Sequence, residues 1–177
     1  MIPPAAPRRN VELKAHDPDP VSTLAAVRDT GAVSMGTLEQ ADTYFPVPHG
    51  RLKLRDEGPR GATLISYDRP REARARPSSY RLVPVPDPAS LRAALAQALG
   101  ESGTVVKSRR LLMHGAVRIH LDRIEGLGDF VELEAVAPPD SDLQAEHAAV
   151  DALARALGIT PDRVVDRGYA ELLGIHD

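Results

Sequence analysis

Residues 50–55 read Gly50-Arg51-Leu52-Lys53-Leu54-Arg55, so that three cations alternate with two leucines. This alternation has the period of a β-strand, in which successive side chains point to opposite faces of the sheet. Arg51, Lys53 and Arg55 therefore share one face, and the two leucines share the other. The stretch predicts a strand with one apolar face and one strongly cationic face.

Seven further segments show the same period-two alternation and hold most of the valine, tyrosine and phenylalanine of the chain. The eight predicted strands cover residues 10–15, 36–47, 51–56, 62–69, 79–85, 104–112, 117–124 and 130–137. Turn residues such as Pro48-His49-Gly50 and His114-Gly115 separate neighbouring strands. Short joints between consecutive strands favour antiparallel hairpins.

Three stretches have helical spacing instead: they follow Pro20, follow Asp87-Pro88, and end at Gly158. A short helix over residues 169–173 is also predicted. Each of the three longer helices has one apolar stripe that needs an apolar surface to cover. The aliphatic strand face supplies that surface if it points outward, which turns the charged face inward. We therefore expect an α+β protein, an eight-stranded antiparallel β-barrel (a tunnel) covered by about three helices.

The chain has 177 residues, which is most simply one domain over residues 9–177 after a flexible, proline-rich N-terminus over residues 1–8. Its formal net charge of −3 argues against nucleic acid or a membrane surface as a partner. Cysteine is absent, which excludes disulfides and thiolate chemistry. No apolar run is long enough to cross a bilayer, and the start lacks the apolar stretch of a secretory signal, so a cytoplasmic protein is expected.

The charges of the predicted strands are segregated by sign, although the whole chain is slightly negative. One strand face carries eight cations, which are Lys14, Arg51, Lys53, Arg55, Arg69, Lys107, Arg109 and Arg118. The same face carries four acids, which are Glu12, Asp122, Glu132 and Glu134. An ordinary sheet with its charges in water is one interpretation. Like charges on neighbouring strands repel one another, however, unless a polyanion lies between them.

A barrel interior lined by cations is suited to a chain of phosphates, because arginine binds phosphate oxygens in bidentate fashion and lysine acts as a point charge. The few carboxylates would then have a separate task. Carboxylate oxygens together with phosphate are the ligands that Mg²⁺ and Mn²⁺ prefer. His120 lies between Arg118 and Asp122 on this face, where it is a candidate general base or a structural hydrogen-bonding group. Arg71, Arg74 and Arg76 fall in a polar run over residues 70–77, predicted as a flexible loop over a tunnel mouth.

The chain resembles the CYTH superfamily, the triphosphate tunnel metalloenzymes, and within it the class IV adenylyl cyclases. The resemblance runs from Asn10 to Leu173 and rests on ordered short motifs. They are Asn10-Val11-Glu12-Leu13-Lys14, Gln40-Ala41-Asp42-Thr43-Tyr44-Phe45, residues 50–55 quoted above, Leu64-Ile65-Ser66-Tyr67-Asp68-Arg69, Val106-Lys107-Ser108-Arg109, residues 120–128, Phe130-Val131-Glu132-Leu133-Glu134 and Tyr169-Ala170-Glu171-Leu172-Leu173.

The resemblance implies an antiparallel tunnel that binds a triphosphate and uses Mg²⁺ or Mn²⁺. It assigns Glu12, Glu132 and Glu134 as metal ligands. Phosphate binding is assigned to Lys14, Arg51, Lys53, Arg55, Arg69, Lys107, Arg109 and Arg118. The candidate catalytic residues are Lys14, Arg118, His120 and Asp122.

One position departs from the family pattern. The family begins Glu-x-Glu-x-Lys, and Asn10 stands where the first glutamate would be. An amide oxygen can coordinate a metal but brings no negative charge, so weaker or altered metal binding is expected.

The leading hypothesis is an enzyme that converts ATP to cyclic AMP and pyrophosphate. The alternatives are a hydrolase of tripolyphosphate or an organic triphosphate, an enzyme on another phosphoanhydride such as an organic diphosphate, and a non-catalytic binder of polyphosphate or a nucleotide. A homodimer is the commonest expectation for a soluble oligomer.

Overall fold

Eight antiparallel strands close on themselves in the computed structural model, which describes residues 6–175. The strands are β1 (Arg8–His16), β2 (Val33–Phe45), β3 (Arg51–Asp56), β4 (Ala62–Asp68), β5 (Arg76–Val85), β6 (Gly103–His114), β7 (Val117–Ile124) and β8 (Gly128–Ala137). Their order around the closed barrel is β1-β5-β4-β3-β2-β6-β7-β8. All eight predicted strands are confirmed, and so is the antiparallel barrel.

Four α-helices accompany the strands: α1 (Pro20–Asp29), α2 (Pro88–Leu99), α3 (Gln144–Ala156) and the short α4 (Tyr169–Leu172). The first two begin as their sequences predict, with a proline in the first turn and an aspartate N-cap. Asp19 accepts a hydrogen bond from the Ser22 amide, and Asp87 accepts one from the Ser90 amide. Among residues 6–175, no helix is long and apolar enough to cross a membrane.

The main apolar core lies outside the barrel, between the strands and the helices. Val11, Leu13 and Ala15 of β1 are buried there with Val150 and Leu153 of α3. A second apolar cluster joins the outer faces of β3 and β4 to α2. The aliphatic strand face therefore points outward under helices, and the alternate residues of each strand point into the barrel.

The turn before β3 requires glycine. Gly50 has a φ of +63°, and a Cβ atom at this position would lie 2.9 Å from the carbonyl oxygen of Tyr67 on β4. Any side chain would therefore push the start of β3 away from β4. The glycine thus helps to set the register of the strand that carries the three alternating cations.

Among the strand boundaries that differ from the sequence prediction, two concern charged residues near the site. β1 begins at Arg8, the last residue of the segment predicted to be flexible, and residues 1–5 of that segment lie outside the described residues. β5 begins at Arg76, inside the run predicted as a loop. Arg76 is 1 % exposed and donates hydrogen bonds to the carbonyl oxygens of Glu72 and Asp166, so the loop prediction is wrong at this residue.

Candidate active site

The barrel encloses a cavity of about 350 Å³ that is lined by residues from all eight strands. The ionisable residues that line it are Glu12, Lys14, Lys53, Arg55, Glu57, Arg69, Lys107, Arg109, Arg118, His120, Glu132 and Glu134. Gly168 and Tyr169 also line the cavity. Tyr169 packs with Tyr44, Val105 and Phe130 in a buried cluster, which places α4 across one end of the barrel.

Asp42 of β2 holds three of the cations together. Its carboxylate lies 2.7 Å from Lys53 Nζ, 2.7 Å from Arg55 Nε and 3.2 Å from Lys107 Nζ, and it is 1 % exposed. Burial by itself would raise the pKa of Asp42, but the charges of Arg55, Lys107 and Lys53 outweigh it and hold that pKa well below its usual value. Asp42 therefore remains ionised and fixes the position of three cations that would otherwise repel one another.

Asp122 of β7 performs a similar task for Arg109 of β6. Arg109 Nε donates to Asp122 Oδ1 over 2.7 Å, and the Tyr169 hydroxyl donates to Asp122 Oδ2 over 2.8 Å. A third carboxylate, Glu132, accepts from Arg109 Nη2 over 2.8 Å. Burial would raise the pKa of Asp122, and Arg109 instead holds it below the ordinary value. Asp122 thus links the tunnel wall to α4 and does not line the cavity itself.

The three glutamates predicted to bind metal lie on the two adjacent strands β1 and β8. Glu12 pairs directly with Glu134 across these strands, and Glu132 pairs with Lys14. Directly paired residues point to the same face with their Cβ atoms about 5 Å apart. Each glutamate is at present bound by a cation: Glu12 by Arg69, Glu132 by Arg109 and Glu134 by Arg118.

Asn10 lies beside these three glutamates and brings a neutral amide group. Its Nδ2 donates a hydrogen bond to Glu134, while its Oδ1 is buried and has no hydrogen-bond partner. An unsatisfied buried carbonyl oxygen beside two carboxylates is the donor chemistry that a hard divalent cation requires. As the side chains stand, no three histidine, aspartate or glutamate residues within 6–175 are grouped to hold a metal ion. The residue types nevertheless fit Mg²⁺ or Mn²⁺ if the glutamates leave their arginine partners.

His120 lies between the acids and the cations. It is 6 % exposed, with Nδ1 at 3.5 Å from Glu132 and Nε2 at 3.8 Å from Glu134. Burial is the largest cause that lowers the pKa of His120, followed by the charge of Arg109. Burial therefore favours the neutral imidazole at pH 7, the form that can accept a proton.

All three lysines that line the cavity have lowered pKa values, and burial is the largest cause for Lys107, whose pKa lies well below its usual value. Burial lowers the pKa of Lys14 to about 8 and that of Lys53 to about 8, although neighbouring carboxylates oppose the shift. The Lys14 ammonium also lies 3.8 Å from the centre of the Tyr169 ring. The amines of Lys14 and Lys53 remain mostly protonated at pH 7, where they serve as positive charges.

The structure places most of the predicted phosphate-binding residues together in the cavity. Arg51 and Arg118 occupy different positions from the rest. Arg51 does not line the cavity, and it pairs with Glu171 of α4 at 3.5 Å. Arg118 does line it, with a side chain 41 % exposed. Arg118 thus sits where solvent reaches the cavity.

Two buried residues of this region were missed as site residues. Asp42 is not among the inward-facing acids predicted from the sequence, although it pairs directly with Arg55 of β3 and shares its face. Arg76 was assigned to a loop, but it pairs directly with Glu12 and its Nε lies 3.6 Å from that carboxylate. The alternation of Asp42 with Tyr44 was the signal that identifies the aspartate.

The same fold occurs in solved structures of low sequence identity. PH1012 from Pyrococcus horikoshii OT3 is 23 % identical, covers 92 % of this chain and 98 % of its own, and superposes with a TM-score of 0.83. A candidate adenylate cyclase from Vibrio parahaemolyticus is 21 % identical over 93 % of this chain and 97 % of its own, with a TM-score of 0.76. A Hippeastrum protein, described as a candidate adenylyl cyclase with a dominant triphosphatase activity, is 13 % identical over 95 % of this chain and 94 % of its own, with a TM-score of 0.65. At these identities the likeness establishes the fold alone.

No curated protein matches the sequence. The family comparison is more decisive than the individual structures, because the CYTH domain matches residues 8–169, almost the full length. The matched region includes every strand of the barrel and each of the charged residues that line the cavity. The chain belongs to the CYTH domain family.

Proposed function

We propose that this protein is a divalent-metal-dependent enzyme that acts on a nucleoside or other organic triphosphate bound in the tunnel. The observation that carries the proposal is the concentration of cations beside a group of carboxylates inside one cavity with a closed end. Several positive charges at close range are costly without an anion between them, and a triphosphate supplies several negative charges in one chain. Family membership supports the same class of substrate.

The residues around Asp42 would bind the phosphates. Lys53, Arg55 and Lys107 already have fixed positions, so little side-chain entropy would be lost when a phosphate replaces part of their contact with the carboxylate. Arg109 is held by Asp122 in the same way. We assign the binding of the phosphate chain to this preorganised group, with Lys14 and Arg69 beside it.

Glu12, Glu132 and Glu134 would hold the metal ion, with the Asn10 amide oxygen as a neutral donor. When bound, Mg²⁺ or Mn²⁺ neutralises the charge that develops on the reacting phosphate oxygens. The glutamates would exchange their arginine partners for the ion, and this releases Arg69 and Arg118 to contact phosphate. His120, neutral and buried between these acids, is positioned to accept a proton from the attacking hydroxyl group or water.

Two reactions can use this arrangement. In the adenylyl cyclase reaction, the ribose 3′-hydroxyl attacks the α-phosphorus of ATP, cyclic AMP forms and pyrophosphate leaves. In the hydrolase reaction, water attacks the terminal phosphorus, the organic diphosphate leaves, and orthophosphate forms. The hydroxyl must reach the α-phosphorus in line for cyclisation, whereas hydrolysis only requires water at the terminal phosphate. The dominant triphosphatase activity named for the Hippeastrum relative supports the hydrolase as the second candidate.

The products distinguish these candidates. The purified protein is incubated with ATP, tripolyphosphate and thiamine triphosphate, each with Mg²⁺ or Mn²⁺, and the products are separated by ion-exchange chromatography. Cyclic AMP with pyrophosphate identifies a cyclase, and orthophosphate identifies a hydrolase. Tight binding of these compounds without turnover would contradict an enzyme and identify a non-catalytic binder.

A glutamate variant tests the metal assignment. Glu134→Ala should abolish metal-dependent turnover, because it removes a carboxylate next to Glu12. Glu125→Ala is the matched control, since Glu125 is an exposed residue of the turn between β7 and β8. Unchanged turnover in Glu134→Ala would refute its assignment as a ligand.

A cytoplasmic location and a homodimer remain predictions.

A further inference from the structure

One part of the cavity wall is aliphatic and has no role in binding phosphate. Leu38, Ile65, Leu82 and Leu111 line the same cavity as the cations, and we call these four residues the apolar mouth. Leu82 is 40 % exposed, although its side chain lines the cavity. A phosphate chain gains nothing from contact with aliphatic side chains.

The apolar mouth lies at the end of the tunnel away from α4. Leu38 is six residues before Tyr44 on β2, and Leu111 is six residues after Val105 on β6. Tyr44 and Val105 pack against Tyr169 at the closed end. Six residues of a strand span about 20 Å, so the two leucines lie far along the tunnel from α4.

The other two residues lie on the neighbouring strands β4 and β5. Ile65 of β4 pairs directly with Leu82 of β5. Leu82 is six residues after Arg76, whose guanidinium binds the Asp166 carbonyl beside the closed end. All four aliphatic side chains line the cavity, and their exposure ranges from 8 % for Ile65 to 40 % for Leu82.

This order along the tunnel has a chemical consequence for the ligand. A molecule whose phosphates reach the cations would have its other end among aliphatic side chains, where apolar groups are favoured over water. Exposed apolar side chains that continue from a binding cavity are typical of a site that buries them on ligand binding.

We propose that the substrate is a polyphosphate ester of an apolar organic group, and that the apolar mouth binds this group. This inference rests on the proposed function, because it assumes that the phosphate chain occupies the cationic interior. It makes Leu38, Ile65, Leu82 and Leu111 specificity-determining residues. It also predicts that inorganic tripolyphosphate and polar esters bind less tightly than an aliphatic ester of equal charge.

The test compares two esters that differ only in apolar length, methyl triphosphate and n-hexyl triphosphate. Dissociation constants are measured by isothermal titration calorimetry with the full-length protein, for these esters and for tripolyphosphate. We expect the hexyl ester to bind at least about tenfold more tightly than the methyl ester, since complete burial of about two methylene groups suffices for that ratio. Leu82→Asn should weaken the hexyl ester about fivefold and leave tripolyphosphate unchanged within twofold.

Val83→Asn is the matched control, because Val83 is 52 % exposed and follows Leu82 on the opposite face of β5. It should change neither dissociation constant. Equal affinity of the two esters for the wild-type protein would overturn this inference, as would an equal effect of Leu82→Asn and Val83→Asn. If tripolyphosphate is bound and cleaved while the hexyl group adds no affinity, only this inference fails. If no triphosphate binds, the proposed function fails with it.

Discussion

Asp42 is the residue whose removal tests the electrostatics of the tunnel most directly. It is fully buried, and its two oxygens contact Lys53, Arg55 and Lys107 at distances between 2.7 and 3.2 Å. Asp42→Asn keeps the shape of the side chain but removes its negative charge. The substitution therefore leaves the buried Lys107 and the partly buried Lys53 and Arg55 next to one another with no carboxylate among them.

The expected cost follows from the burial of these groups. Removing one partner of a buried ion pair typically costs about 3–5 kcal/mol. The pKa of Lys107 is already well below its usual value, chiefly because of burial, so this lysine can release its proton and lower the cost. We therefore expect a loss near the lower end of that range, about 3 kcal/mol. For a protein of this length, such a loss lowers the Tm by about 6–12 °C.

The assay is thermal unfolding, followed by circular dichroism in a phosphate-free buffer with and without 1 mM tripolyphosphate. The anion should raise the Tm of Asp42→Asn more than that of the wild-type protein, because it replaces the missing negative charge among the three cations. Asp151→Asn is the control, since Asp151 is an exposed carboxylate of α3. A decrease in Tm no larger than that of the control, or equal stabilisation of both proteins by tripolyphosphate, would refute the reasoning.

Three further predictions concern the metal site, the pH dependence of binding and the closed end of the tunnel. Asn10→Glu should bind Mn²⁺ about tenfold more tightly in isothermal titration calorimetry, because it adds a carboxylate beside Glu134; an identical metal response in both proteins would contradict this. Since burial lowers the pKa of Lys53 to about 8, its amine loses the proton as the pH rises through 8, whereas the same lysine in the unfolded chain keeps it until about pH 10.5. Tripolyphosphate should therefore bind more weakly above pH 8, and its binding at pH 8.5 should be accompanied by proton uptake by the protein. This uptake is measured as the dependence of the binding enthalpy on the ionisation enthalpy of the buffer. Lys53→Arg should reduce the proton uptake, and an unchanged uptake would count against Lys53. Tyr169→Phe removes the hydrogen bond to Asp122 and should lower the free energy of unfolding in urea by about 1–2 kcal/mol, whereas an unchanged midpoint would show that the bond contributes nothing.

The fold was predictable because the barrel is encoded locally. Polar and aliphatic residues alternate from Arg51 to Arg55 in β3 and from Val117 to Asp122 in β7, so the sequence of each strand shows both its period and its two faces. The apolar stripe of α3 showed that the aliphatic face is covered, and this placed the charges inside. The same alternation, together with the covered aliphatic face, assigns Glu12, Lys14 and Glu132 to the interior.

Other features of the site depended on contacts between residues far apart in the chain. Arg76 looks like part of a polar loop in the sequence, and only its pairing with Glu12 and its bond to the Asp166 carbonyl identify it as buried. The closure of one end by α4 rests on a hydrogen bond between Tyr169 and Asp122, which are 47 residues apart. Neither contact produces a periodic pattern in the amino-acid sequence.

The two-residue period of each strand, visible in its residues, sets which side chains face the interior. How far along the tunnel each side chain lies depends on the register of every strand against its neighbours, which emerges only in the folded barrel. Asp42 came to lie among Lys53, Arg55 and Lys107, and the apolar mouth formed from leucines and an isoleucine on four different strands. Register is set by pairing around the whole closed barrel, so no single segment contains it.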